Sequence, residues 1–208
     1  MKFSHHGRTA GGFLVTGASI MDDIVKAAMQ KWPDVPDVYG WLALDRRGNW
    51  LIRGERIGNA ALNAFINRNY ASDERGRWFF QNGPQRVFVS LHTAPFVYSL
   101  QRDGRALGAT AHTGIEARRI DAAFVDGDGA MYLSTDLGAG LVHDRDLALA
   151  LAAVVGPGDS DENITAMLAG DVQGVRIDTG SAGIPLTRIG FGELAARFHF
   201  DPDPQPDL

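Results

Sequence analysis

The chain has no cysteine among its 208 residues, which excludes disulfides, thiolate metal sites and thiol nucleophiles. Lysine is scarce: only Lys2, Lys26 and Lys31 occur, so no Tyr-x-x-x-Lys pair exists. Long apolar runs are missing as well. The longest before residue 20 is Phe13-Leu14-Val15, too short for a signal peptide, and no later run approaches the ~18 residues of a membrane span. These absences predict a protein that is neither secreted nor membrane-embedded, in a reducing, cytoplasmic setting.

Catalytic and cofactor motifs are also incomplete. Val15-Thr16-Gly17-Ala18-Ser19 begins like a dinucleotide-binding turn, but Met21 and Asp23 stand where glycines must let the backbone approach a pyrophosphate. Asp126-Gly127-Asp128-Gly129 begins like a calcium loop, yet Ala130 and Leu137 occupy the positions that need oxygen ligands. His5, His6, His92, His112, His143 and His199 form no metal-ligand couple on one helix. No Gly-x-Ser-x-Gly elbow surrounds Ser134 or Ser181. Neither a metal nor a cofactor is predicted.

What is present is ordinary globular composition, 45% apolar and 22% charged. A chain of this length buries roughly 70% of its unfolded surface and needs no staples. Charge is uneven. Residues 40–105 carry ten arginines against five acids, residues 106–208 six against sixteen. Halves of opposite sign attract each other within a chain or between copies.

The pattern predicts an α+β fold of antiparallel β-hairpins, with one helix per half and an N-terminal helix. Ser19-Ile20-Met21-Asp22 has the spacing of a helix start, followed by Ile24, Val25, Ala28, Met29 and Trp32 on one face, and Pro33 ends the helix. Residues 38–44 and 50–52 read as strands around Asp45-Arg46-Arg47-Gly48, whose Asp and Gly suit a tight turn. Asp73-Glu74-Arg75-Gly76 repeats the device before Trp78, and Asn82-Gly83 is a strong hairpin signal. Asn59 caps a helix with Ala61, Leu62, Phe65 and Ile66 inward, and Asp103-Gly104 turns a further hairpin.

The second half replays this order. Residues 122–133 match the first hairpin at an offset of 81, Asp144 starts a helix through Val155, and Gln173, Val175 and Ile177 match Gln85, Val87 and Val89 at an offset of 88. An acidic loop at Asp159–Glu162 absorbs the difference. The expectation is a β-β-α-β-β unit occurring twice, residues 38–112 and 121–190, in a single domain spanning 21–200. A loose extension (1–20) and a disordered, proline-rich tail (201–208) flank it. Met21 is expected to be the natural start.

One segment concentrates recognition chemistry. Arg75 to Arg86 packs Trp78, Gln81, Asn82, Gln85 and Arg86 around a tight turn, with Asn67 and Asn69 ending the preceding helix. Amides and guanidinium are directional donors for carboxylate, phosphate or sugar hydroxyls. The competing structural reading puts the aromatics in the core and pairs Arg86 with Asp73 or Glu74.

Lys31-Trp-Pro-Asp-Val-Pro36, Tyr39-Gly-Trp-Leu-Ala-Leu-Asp-Arg-Arg-Gly-Asn-Trp50 and Gly76-Arg-Trp-Phe-Phe-Gln-Asn-Gly-Pro-Gln-Arg-Val87 resemble an uncharacterised proteobacterial protein family of unknown function. The resemblance covers residues 21–100. It implies a bacterial setting and brings no catalytic residues with it.

The function expected is therefore non-catalytic binding of a small polar or anionic ligand, or of a protein partner including a second copy. The alternative is an enzyme on a small polar or anionic substrate, using Arg86 as clamp and His92 as acid or base. Nucleic acid is disfavoured by the acidic second half and a pI near 5.6.

Overall fold

The computed structural model describes residues 21–32, 35–180 and 183–207. Three turns of one design organise its strands. In each, an aspartate Oδ1 accepts from the N–H groups two and four residues on. Asp45 accepts from Arg47 and Asn49, Asp73 from Arg75 and Arg77, and Asp126 from Asp128 and Ala130. The glycines that close the turns, Gly48, Gly76 and Gly129, take φ of +74°, +77° and +79°, a region costly for any residue with a Cβ. Each aspartate's Oδ2 is held by a different side chain: Asn49 Nδ2, Arg77 Nε and the Tyr132 hydroxyl, respectively.

The chain runs α1 (Asp23–Lys31), β1 (Val38–Leu44), β2 (Trp50–Ile52), β3 (Glu55–Arg56), α2 (Ala60–Arg68), β4 (Tyr70–Ser72), β5 (Trp78–Asn82), β6 (Gln85–Leu91), β7 (Phe96–Asp103) and β8 (Ala106–Ala111). It continues through β9 (Ile120–Val125), β10 (Met131–Thr135), β11 (Gly138–Val142), a 3-10 turn (Asp144–Asp146), α3 (Leu147–Leu151), β12 (Val154–Val155), α4 (Ser160–Leu168), β13 (Arg176–Ile177), β14 (Ile184–Arg188) and α5 (Phe191–Phe198). The first sheet has the order β3-β2-β1-β6-β5-β4, the second β12-β13-β14-β9-β10-β11-β7-β8. Read from the other edge, the first is 4-5-6-1-2-3, and 12-13-14-9-10-11 repeats that order strand for strand. The central pairs are parallel in both: Leu42 lies opposite Val89, and Ala123 opposite Leu186. The β7–β8 hairpin then extends the second sheet, with β7 parallel to β11.

One core joins the sheets. Leu44, Trp50, Ile66 and Phe80 from the first unit share a cluster with Tyr98, Phe124, Leu133, Ile177 and Leu194. Aromatic rings stitch the seam: Trp78 packs edge-on against Phe96 of β7 at 5.1 Å, and Tyr70 donates to the Pro95 carbonyl. Each such side chain, fully buried, contributes about 1.5–3 kcal/mol.

The α+β class holds, with helices few relative to strands and the N-terminal helix present. Several local expectations do not. Parallel crossovers between distant strands stand beside the antiparallel hairpins. On α1 only Val25 is buried, while Ile24 and Trp32 face solvent; Ser19 lies outside the described residues. Asn59 does cap α2, accepting from Leu62 N–H at 3.0 Å, but Ala61 is exposed. The helix expected through Val155 ends at Leu151, because Val154 and Val155 are β-branched and pair with Ile177 and Arg176.

The expected acidic loop is helix α4. Asp159 accepts from Glu162 N–H and the Glu162 carboxylate accepts from Asp159 N–H, a complete capping box. With that helix inserted, the strand equivalent to β6 is β14 rather than the stretch at an offset of 88. Nor are residues 201–207 of the expected tail loose. Asp201 N–H reaches the Gly76 carbonyl, Leu91 N–H reaches that of Pro202, and Arg75 holds Asp207 at 2.7 Å. Fixed hydrogen bonds to sheet one offset the loss of chain entropy that composition alone predicts would win.

Candidate functional site

The Arg75–Arg86 segment proves mostly structural in its contacts. Gln81 is buried at 1% exposure, donates to the Gly83 carbonyl, and keeps its Oε1 without a partner. Trp78 is half-buried against Tyr70 and Phe96. Asn69, wholly buried, donates to the Phe65 carbonyl and to Asp22, and accepts from Asp22 N–H, pinning α1 to α2. Gln85 donates to the Pro36 carbonyl, and Asn82 is exposed. Arg86 lies over the Phe79 ring at 4.7 Å, while Asp73 is taken by Arg77.

Arg86 and His92 stand near opposite ends of β6. Six residues of extended chain separate them by about 20 Å, so they cannot serve one small substrate. Phe79 and Phe80 are buried, leaving no stacking face on that segment.

Two adjoining clefts lie instead where the β1–β2 turn of the first unit meets β7, β8 and the loop after β11. The first, about 310 Å³, is lined by Arg47, Gly48, Val97, Ser99, Ala111, His112, Gly114, His143 and Arg145. The second, about 250 Å³, is lined by Gly48, Asn49, Trp50, Arg56, Ile57, Asn63, Asn67 and His112. Gly48 and His112 form the wall between them, and a Cβ on Gly48 would come within 2.7 Å of His112 Cβ. Of the seven residues predicted from sequence, only Asn67 lines either cleft.

The rim of the first cleft is rich in charge. Arg47 Nε donates to Asp144 at 2.9 Å, an exposed bridge between the basic and acidic halves. Arg145 donates to Ser99 Oγ at 2.6 Å, and its Nε lies 3.7 Å from Asp146, which also accepts from Leu100 N–H. Asp144 sits below the usual carboxylate range, chiefly through its hydrogen bond with Arg47. His143 Nδ1 accepts from Arg145 N–H at 3.2 Å and lies 2.8 Å from Asp144 Oδ1. The His143 ring thereby caps the 3-10 turn.

His112 is one of the six histidines, given no role by the sequence. Its N–H donates to the Val97 carbonyl, and its Nδ1 accepts from Val97 N–H at 3.3 Å. With Nδ1 accepting, the neutral ring must carry its proton on Nε2. That Nε2 is shielded from solvent and has no partner, although the residue keeps partial exposure. Trp50, Tyr70 and Phe96 surround the ring at 5.2–6.0 Å. Burial lowers its pKa to about 3, against a weaker opposing pull from Asp45. Among the described residues no group of three acidic or histidine side chains is arranged to hold a metal, and no helix is long and apolar enough to cross a membrane.

The family model DUF2944, described as "Protein of unknown function (DUF2946)", matches residues 21–205. Among solved structures, a DUF1285 family protein from Silicibacter pomeroyi DSS-3 superposes with a TM-score of 0.52. It is 18% identical, over 86% of this chain and 96% of that one. A DUF1285 family protein from Shewanella baltica OS155 gives a TM-score of 0.41 at 16% identity, over 52% of this chain and 88% of that one. The first likeness is one of fold. No curated protein matches.

Proposed function

The chain belongs to the DUF2944 family of proteins of unknown function, and we propose that it is a non-catalytic, cytoplasmic binding protein for a small anionic ligand held in the first cleft. The observation that carries this reading is the meeting of Arg47 and Arg145 from different units on one rim, beside the Ser99 hydroxyl and His143. Arg145, whose shortest contact is the neutral Ser99 hydroxyl and whose Asp146 carboxylate stands farther off at 3.7 Å, can offer its guanidinium to a carboxylate or phosphate. The exposed Arg47–Asp144 bridge is of the kind worth little in water, so an anion competes with Asp144 on nearly equal terms.

The shared strand order supports a further element of the proposal. The two units are duplicates, and the cleft lies at the seam between them, where pockets commonly form. Scattered acids in the second half and buried aromatics in the first argue against a nucleic-acid partner.

The test is a titration of the ¹⁵N-labelled protein with inorganic phosphate and, separately, acetate. Saturable shifts at Gly48, Ser99 and Gly114 that weaken at least about tenfold in Arg145→Gln are expected. Shifts spread evenly over all arginine-bearing surfaces, unchanged in that variant, would refute the reading.

A further inference from the structure

Alternation along the strands of the first sheet sends two sets of residues to opposite faces. Leu42, Leu44, Val89 and Leu91 enter the shared core. Trp41, Arg86, Phe88 and Ser90 turn to the other face, where Phe79 lies opposite Phe88. Tyr39 stacks on Phe88 at 4.6 Å, and Arg77 lies over the same ring at 4.6 Å. Residues 201–207 dock on this sheet as a strap. Its root is firm: Phe200 is buried, and backbone bonds join Asp201 to Gly76 and Leu91 to Pro202. Farther along, Asp203 accepts from Ser90 Oγ at 2.8 Å, Pro204 is buried, and Asp207 accepts from Arg75 at 2.7 and 2.9 Å. The Arg75–Asp207 pair is 60% and 69% exposed, a kind of contact that contributes little in water. The far end can therefore leave its carboxylate contacts while the root stays in place.

The strap shows which chemistry the face accepts. Four residues of proline-rich chain separate its two held carboxylates, a span of up to about 12 Å, too long for one small anion to meet both contacts. The face also continues past the strap. Arg53 lies over the Trp41 ring at 3.7 Å, and Trp41 is 48% exposed. Arg53 takes φ +49° there, a left-handed conformation unfavourable for a residue with a Cβ. Arg86 lies over Phe79, and neither it nor Arg53 pairs with an acid among the described residues. We propose that this face is a docking site for an acidic, proline-containing extended segment of a partner protein, with residues 203–207 its competitor in cis. The guanidiniums receive the partner's carboxylates, and the exposed Trp41 ring covers a proline. A competitor tethered in cis acts at an effective concentration on the order of millimolar, so only a segment that contacts more of the face displaces it. The proposal does not rest on the anion reading of the first cleft.

The experiment titrates the full ¹⁵N-labelled chain, as wild type and as the double variant Asp203→Asn, Asp207→Asn, with a capped synthetic peptide of repeated Asp-Pro. Both carboxylates are exposed, so the variant should keep its fold. Saturable shifts at Gly76, Arg77, Ser90 and the Trp41 indole are expected, with affinity at least about tenfold higher in the variant than in wild type. Adding Arg75→Gln should cancel that gain, and a peptide of repeated Asn-Pro should not bind. Absence of saturable binding to the variant, equal affinity in both chains, or equal affinity for the Asn-Pro peptide overturns the proposal. So do shifts confined to Gly48, Ser99 and Gly114, which would make the peptide one more anion for the first cleft. Dimerisation of the wild type with rising concentration, lost in Arg75→Gln, also overturns it, because the occupant would then be the same segment of a second copy.

Discussion

The two units reach one strand order by different means. In the first, β4 and β5 are three and five residues long and joined by the tight Asp73–Gly76 turn. In the second, the equivalent β12 and β13 have two residues each, and α4 is inserted between them. What both keep is the parallel central pair. The periphery can erode because a ladder hydrogen bond contributes only about 1 kcal/mol net, and a helix burying Met167 and Asn163 replaces several. The central pair cannot, since slipping it by one residue would turn Leu42 or Ala123 away from the core.

The three Asp-x-x-Gly turns allow the sharpest test of this contrast. Their glycines share one φ, so alanine costs each the same roughly 1 kcal/mol of strain, and what differs is the neighbour. At Gly76 the new Cβ collides with the His199 carbonyl, rigid backbone at the root of the docked tail. At Gly48 it meets His112 Cβ at 2.7 Å, and at Gly129 only the flexible end of Leu168, at 3.2 Å. Urea unfolding should therefore rank Gly76→Ala worst, at about 4 kcal/mol. Gly48→Ala should cost about 2–3 kcal/mol and Gly129→Ala about 1 kcal/mol. Equal losses would mean that the tail and seam contacts carry no weight.

The seam itself should titrate. Unfolded, His112 takes a proton near pH 6.5; folded, burial delays that to about 3. Across that window the unfolded state binds the extra proton, so stability falls as pH falls, by up to about 1.4 kcal/mol per pH unit. Asn at position 112 retains an acceptor for Val97 N–H. Stability of His112→Asn against pH should lose this slope between about pH 6.5 and 4.5, above the range where carboxylates titrate. An unchanged slope would show that the ring is protonated, and so partnered, in the folded state.

A smaller effect separates the peripheries. Asp159→Ala removes half of the α4 capping box and should cost about 1 kcal/mol. The loss should appear as faster amide exchange in α4 and β13, with β5 and β6 unaffected. Exchange that quickened equally in both units would mean that the edges unfold as one.

Legibility in the sequence followed the range of the interaction. Asp45, Asp73 and Asp126 announce their turns because an aspartate and a glycine three apart act within five residues. Asn59 announces its helix for the same reason. The capping box at Asp159 and Glu162 is equally local but is masked in the sequence by the acids around it. The tail and the parallel pairs depend on partners more than 40 residues away, and no local period encodes those. The site shares that difficulty. Asn67 was legible as an amide at a helix end, but Arg47, His112 and Arg145 converge only because sheet two grows past β11 to β7 and β8.

The finest test is at the bridge that joins the basic half to the acidic one. Asp144 and Arg47 are both largely exposed, so Asp144→Asn should leave the unfolding midpoint where it is. Its consequence should lie in binding. Removing the carboxylate frees the Arg47 guanidinium and takes a like charge away from any incoming anion. Phosphate should therefore bind Asp144→Asn more tightly than wild type, by about three- to tenfold at low ionic strength, with the gain shrinking as salt screens the site. A variant that binds more weakly would mean that Asp144 orients Arg47 toward the ligand rather than competing with it, and the seam would then owe its shape to the pairing of the two halves.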